Sequence, residues 1–296
     1  MKMELLDSFG DMKAPLYAIA DGTHADSFFT ASANGLVSEW NTEYGVSSEI
    51  QVKASGAVFS LLYDDVSKFL WVGCQQNTLS VVDIQNKKEI KNYNVHPGGV
   101  FDIKIVEDKI LSVGADGNVI EWNRSDASYS RTIPLSDSKI RRFAVSTHKP
   151  ELAFPMSNGE MEIVDPIFFN SIEKKKVNEL GVASCAFHPK KSVLLTGGRD
   201  GVIHLWNSKK DYAPVLNFTA HKGNVYAIAF HPKRHVFVTG SRDKEIKVWD
   251  AETLDFLCGS SHTRSVNALH FLKNGLLLSA SDDGSIRLWK ILRKSS

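Results

Sequence analysis

One twelve-residue phrase recurs along the chain: TGGRDGVIHLWN from Thr196, TGSRDKEIKVWD from Thr239 and SASDDGSIRLWK from Ser279. Fainter copies, SVGADGNVIEWN and TASANGLVSEWN, begin at Ser112 and Thr30. Each has a hydroxyl residue, an Asp or Asn four positions later and a Trp six beyond that. A polar turn between two short apolar runs is the signature of a β-hairpin. Such a hairpin cannot bury its apolar faces alone. Units of this kind repeating every ~40 residues bury them against one another, and the closed solution is a β-propeller with one blade per repeat.

The strong turn anchors are Asp116, Asp200, Asp243 and Asp283, and stepping at the same interval reaches Asn34, Gln76 and Asn158. The seven anchors stand 42, 40, 42, 42, 43 and 40 residues apart. An apolar strand precedes each, at 16–20, 58–63, 100–106, 140–145, 182–187, 225–230 and 266–271. The last repeat nearly runs out of chain, with only KILRKSS after Trp289. The segment ELLDSF at 4–9 resembles VLNF at 215–218 and is expected to supply the missing outer strand. The expected fold is therefore all-β: a seven-bladed β-propeller of four-stranded antiparallel blades, one domain over residues 1–296, closed by its N-terminal strand. Such pairing would also cover an edge that otherwise invites association.

Composition narrows the class. The 296 residues are 43% hydrophobic with a formal net charge of +1, which offers no global field for nucleic acid. Cys74, Cys185 and Cys258 are odd in number, widely spaced and placed in strands. They read as buried reduced thiols of a cytoplasmic protein rather than a disulfide framework. The N-terminus lacks a signal-peptide apolar run, and no stretch reaches transmembrane length.

The chain resembles the WD-repeat β-propeller family over essentially its whole length, well in four blades and mainly by spacing in the blades of Gln76 and Asn158. In that family an indole N–H, a Ser/Thr hydroxyl, a His and the turn Asp form a hydrogen-bonded chain. The resemblance implies this role for His96, Ser112, Asp116 and Trp122; for His221, Thr239, Asp243 and Trp249; and for His262, Ser279, Asp283 and Trp289. A fourth set has Thr196, Asp200 and Trp206, but Asn178 stands where His would be. A Ser–His–Asp grouping invites the word hydrolase. A nucleophilic hydroxyl must face substrate beside oxyanion donors, whereas here it would be held by an indole, three times over. No catalytic residue, metal or cofactor is expected.

The resemblance also implies that one face is lined by the third and fifth residues after the His position and by the residue before the turn Asp. Those positions supply the aromatics Tyr17, Phe59, Phe101 and Tyr226 and the cations Lys139, Arg141, Arg199 and Arg242, with Asp282 the one acid. Aromatics and Arg dominate binding hot spots, and Arg forks suit carboxylate or phosphate. The expectation is a non-catalytic scaffold that binds other proteins through a peptide or loop of acidic or phosphorylated character. Nucleic acid is disfavoured by the charge balance, and no membrane contact is expected. The competing readings are an enzymatic or small-molecule-binding propeller using its central channel and a nucleic-acid-associated one. A substrate-receptor role in a cullin ubiquitin ligase usually needs Arg two residues after a Trp-Asp pair. Here Trp249 and Asp250 are followed by Ala251 and Glu252.

The FHPK turns at 187–190 and 230–233 place His188 and His231 at equivalent points of two blades, as exposed turn residues rather than metal ligands. Trp71 reads as core, and the run Lys174 to Lys176 as a solvated edge following an outer strand. The GGRDG at 197–201 is a turn without the Lys and helix of a phosphate-binding loop.

Overall fold

The computed structural model describes residues 1–9, 14–43 and 47–293. Among them there is no helix, and the strands form seven four-stranded antiparallel sheets. Each sheet is one repeat whose strands lie in sequence order, so the architecture is a seven-bladed β-propeller. The exception to the order is the seventh blade. There Lys2–Phe9 lies beside Ile286–Leu292, followed by Leu277–Ser281 and Val266–Phe271. The first strand of the chain thus completes the last blade.

The hairpin phrase owes its shape to one backbone requirement. The residue after each turn anchor has positive φ: Gly35 (82°), Asn77 (60°), Gly117 (73°), Gly159 (86°), Gly201 (81°), Lys244 (81°) and Gly284 (79°). This left-handed region favours glycine, and five of the seven positions are glycine. At Gly201 a Cβ would also stand 2.1 Å from the His221 carbonyl oxygen.

The chain divides into two compact units, Phe9–Arg141 and Met1–Ser8 with Arg142–Ser296. The first contains blades one to three. Phe29, Val37, Leu70 and Val72 bury themselves between blades one and two, and Trp71, Leu79, Val100 and Trp122 between two and three. Trp71 is fully buried. Arg124 donates through Nε and Nη2 to both oxygens of Asp64, which is itself fully buried. Burial alone would raise that carboxyl, but the Arg124 fork, Ser67 and the Val66 N–H hold it down at about 2.

The second unit holds blades four to seven. Met161, Ile163, Leu194 and Trp206 fill the seam between four and five. Leu195, Val225, Phe237 and Trp249 fill the next, and Val236, Val266, Leu277 and Trp289 the last. Met1 and Met3 pack against that last cluster. Glycine on the second strand lets the next blade's inner strand close up: a Cβ on Gly197 or Gly240 would lie 2.9 or 2.7 Å from atoms of Val225 or Val266.

The fourth blade departs from expectation. Its inner strand covers only Ala144–Val145 rather than 140–145. Ala144 pairs with Ala153, so Arg142 would face Pro155, which has no N–H to donate to the ladder. Phe143 is buried all the same, stacked on Phe154 at 5.4 Å. Lys174 to Lys176 lie within the outer strand Ser171–Lys176 rather than after it, paired with Glu160, Glu173 and Glu179. The three cysteines are free; Cys74 and Cys185 are buried, while Cys258 on an outer strand is half-buried.

Removing residues 1–9 uncovers the last blade and the apolar surface under Met1 and Met3. The expected outcome is a calorimetric unfolding midpoint roughly 5 °C or more below that of the full chain, corresponding to about 2 kcal/mol.

Candidate functional site

Three Ser/Thr–His–Asp groups form continuous hydrogen-bonded chains. In blade three the His96 Nδ1 lies 2.8 Å from Asp116 and its Nε2 2.9 Å from Ser112 Oγ, which accepts from Trp122 Nε1 at 3.0 Å. In blade six the corresponding distances are 3.0 Å (His221–Asp243), 2.7 Å (His221–Thr239) and 2.9 Å (Trp249–Thr239). In blade seven they are 3.0 Å (His262–Asp283), 2.7 Å (His262–Ser279) and 2.8 Å (Trp289–Ser279). With Nδ1 donating to the carboxylate, Nε2 accepts the hydroxyl proton, and the hydroxyl oxygen accepts from the indole. All three hydroxyl residues are fully buried. Their oxygen is enclosed by the network and does not face a cleft, so the arrangement is a lock between strands rather than a nucleophile with its base.

Burial pushes the His221 and His262 rings below the ordinary imidazole range, although Asp243 and Asp283 pull the other way. For Asp243, burial raises the carboxyl, but the Lys222 and Glu245 N–H groups and the His221 ring outweigh it and bring the pKa below the usual value. His221, Asp243 and Glu245 are close enough for a metal ion, yet both ring nitrogens of His221 are already engaged within the chain.

Blade five carries an incomplete set. Trp206 Nε1 donates to Thr196 at 3.0 Å and Asp200 accepts from the Val202 N–H. Asn178 accepts from the Gly181 N–H through Oδ1, and its buried Nδ2 has no partner. In blade one Trp40 donates to Thr30 at 2.8 Å.

In six blades the face-lining positions meet at one end of the sheet. The residue before the turn anchor donates its N–H to the carbonyl of the residue two before the inner-strand aromatic position. The pairs are Ala33 to Pro15, Gln75 to Ala57, Ala115 to Gly99, Arg199 to Gly181, Arg242 to Asn224 and Asp282 to Ser265, all at 2.8–3.0 Å. The ladder then slips: Leu16 pairs with Ser32 but Ala18 with Ala31, leaving Tyr17 in a bulge. The same bulge falls on Phe59, Phe101, Ala183, Tyr226 and Asn267. A bulge re-aims the side chain it carries out of the ladder.

In the first unit this sets Tyr17, Phe59 and Phe101 in a run, with ring centroids 5.4 and 5.5 Å apart. The exposed Arg141 lies over the Phe101 ring at 5.0 Å, a cation–π contact. Phe101 itself is only 7% exposed, so its edge of the run is covered by Arg141 and Phe59. Lys139 is exposed. In the second unit Arg199 donates to Ser157 at 3.3 Å, Tyr226 accepts from Asn224, and Arg242 is exposed.

His188 and His231 are buried, at 4% and 5% exposure, and not exposed turn residues. Each Nδ1 accepts two backbone N–H groups of its own turn, from Lys190 and Lys191 or from Lys233 and Arg234. Each ring then packs on the next blade's aromatic, Phe230 at 5.0 Å or Phe271 at 4.9 Å. Burial first, then Arg234 and Lys233, pushes the His231 ring down to about 4.

Two stability measurements follow from this geometry. Asp243→Ala strands the His221 Nδ1–H and two backbone N–H groups, so chemical denaturation should show a loss of about 1–3 kcal/mol. Asn178→His should do the reverse and gain about 0.5–1.5 kcal/mol. Blade three accommodates His96 beside Gly114 just as blade five would beside Gly198. As for pH, a histidine with a depressed folded pKa binds fewer protons folded than unfolded. Its stabilisation is full above about pH 6.5 and is lost as pH falls toward the folded value. The unfolding midpoint should hold between pH 8 and 7 and decline steadily from about 6.5 to 4, more shallowly in His231→Asn. The depressed carboxyls Asp116, Asp243 and Asp283 add their own loss below about pH 4.

Comparison with known proteins agrees with this geometry. The family model for the WD domain, G-beta repeat, matches residues 174–207, 212–250 and 255–290, which lie in blades four to seven. The chain is 23% identical over 66% of its length to a WD repeat-containing protein 91 homolog of Dictyostelium discoideum, and covers 27% of that protein. It is 34% identical over 65% of its length to Striatin-3 of Rattus norvegicus, and covers 24% of it. A THO complex subunit 6 homolog of Danio rerio is 22% identical over 52% of this chain. The chain therefore spans about a quarter of the first two of these relatives. The chain thus carries three repeats that match the WD-domain model, on a β-propeller of seven four-stranded blades.

Proposed function

We propose that the chain is a non-catalytic protein-interaction scaffold. It binds a peptide or loop of acidic or phosphorylated character at the bulged end of its blades. The observation that carries this reading is the bulge itself. It recurs at one position in six inner strands and takes Tyr17, Phe59, Phe101 and Tyr226 out of the ladder. In the first unit the aromatic run with Arg141 supports a platform for an apolar anchor and a negative flank. In the second unit Arg199, Tyr226 and Arg242 support the same kind of contact. The non-catalytic half of the reading is supported by the three buried hydroxyls, each enclosed by an indole and an imidazole.

The test is quantitative crosslinked capture from the native cell, comparing the wild type with Arg199→Glu/Tyr226→Ala/Arg242→Glu after both are shown to melt alike. Specific partners should fall about tenfold or more with the triple variant. Equal capture by both forms contradicts the assignment of this surface.

A further inference from the structure

The turns between first and second strands of blades five and six repeat one sequence, His188-Pro189-Lys190-Lys191 and His231-Pro232-Lys233-Arg234. They lie at the opposite end of each antiparallel sheet from Arg199 and Arg242, which belong to the following turns. A notch opens between the two turns, lined by His188, Lys190, Phe230, Lys233, Arg234 and His235. Lys190 and Lys233 are exposed. His188 is the informative member. Its Nδ1 accepts two N–H groups at 3.0 Å, which places the proton of the neutral ring on Nε2. That Nε2 is buried and has no hydrogen-bond partner. Burial, then Lys191, His148 and His235, hold the ring below the ordinary imidazole range, with Glu252 pulling the other way. The notch therefore combines an unused buried donor with the exposed Lys190 and Lys233 and with Arg234, whose Nη1 also donates to the Ile291 carbonyl oxygen.

Cations continue along the same inner turns: His148 and Lys149 in blade four, Lys191 in blade five and Lys273 in blade seven. The one acid on these turns, Glu151, is buried beneath Tyr212 and Lys149. The outer turn of blade six, at the same end, carries the exposed acids Glu252 and Asp255. Glu252 pairs with Lys191 at 3.1 Å and lies 4.0 Å from His235, so a flat anionic surface would meet both acids, whereas a narrow segment entering between the two turns meets Lys190 and Lys233 first. We propose that the notch between the two His-Pro-Lys turns binds a phosphate monoester on an acidic protein segment, which continues along the inner turns of blades four to seven. A phosphate has the charge and the acceptor oxygens to use the lysine and histidine donors that line the notch, and the walls of Phe230, Pro189 and Pro232 take the aliphatic part of the segment.

The test is fluorescence polarisation of the full chain with a short labelled peptide bearing one phosphoserine among glutamates. The arms are the same peptide with unmodified serine, inorganic phosphate as competitor, and sedimentation with vesicles of phosphatidylserine and phosphatidylcholine. Saturable binding of the phosphopeptide is expected, weakened about tenfold or more by Lys190→Glu/Lys233→Glu and by rising salt. Should that pair fold poorly, Lys190→Gln/Lys233→Gln should still lose roughly threefold. The same comparison in an Arg199→Glu/Arg242→Glu background removes the contribution of the bulged end; there the phosphopeptide should still bind, and Lys190→Glu/Lys233→Glu should still weaken it about tenfold. Unchanged affinity in the reversed pair, equal binding of unmodified serine, or reversal-sensitive vesicle binding without peptide binding would each overturn the proposal.

Discussion

The bond from a tryptophan indole to a buried hydroxyl is the interaction on which this fold turns. It joins the second and third strands of a blade, and in blades three, six and seven it extends through an imidazole to the turn carboxylate. The indole, hydroxyl and imidazole are buried and the carboxylate half-buried, so each would be costly if left unpaired, and each is satisfied by its neighbours. The polar chain thereby fixes the turn, the register and the position of the loop before the inner strand in a single stroke. The same chemistry that suggests a hydrolase in one dimension becomes, in three, a reason why none of these three hydroxyls is free to attack.

Rigid blades allow other parts of the chain to be spent on recognition. The inner-strand bulge interrupts the ladder beside the locked turn, and the local hydrogen bond across the blade end secures it. A side chain held on a strand next to such a turn loses little freedom on binding, which favours aromatics and arginines at these points. At the other blade ends the His-Pro-Lys turns use a different device. A buried imidazole organises the backbone by accepting two N–H groups, leaving the lysines and the arginine at the rim.

Much of this was legible in the sequence. Spacing of 40 to 43 residues between anchors gave the blade number, and the shortage of chain after Trp289 gave the role of the first strand. The periodicity of apolar residues did not give the length of the fourth inner strand. That depended on Pro155, a residue of the neighbouring strand whose missing N–H stops the ladder opposite Arg142. Nor did polarity give the burial of His188 and His231. A His-Pro-Lys turn looks solvated in one dimension, and only the neighbouring blade's Phe230 or Phe271 covers the ring. The bulges were equally hidden, because an inserted residue shifts pairing without disturbing local hydrophobicity. What the sequence read well was local and periodic. What it missed was decided by the adjacent strand or blade.

The most direct test of the central claim is hydrogen exchange at the tryptophan indole N–H groups, followed by NMR under native conditions. If these bonds are locks, the Nε1–H of Trp122, Trp249 and Trp289 should exchange only through opening that costs close to the full unfolding free energy of the surrounding blades. Exchange within seconds at neutral pH, with the rest of the core still protected, would mean that the hydroxyl–imidazole groups open to solvent on their own. That result would contradict the structural reading and reopen the catalytic one.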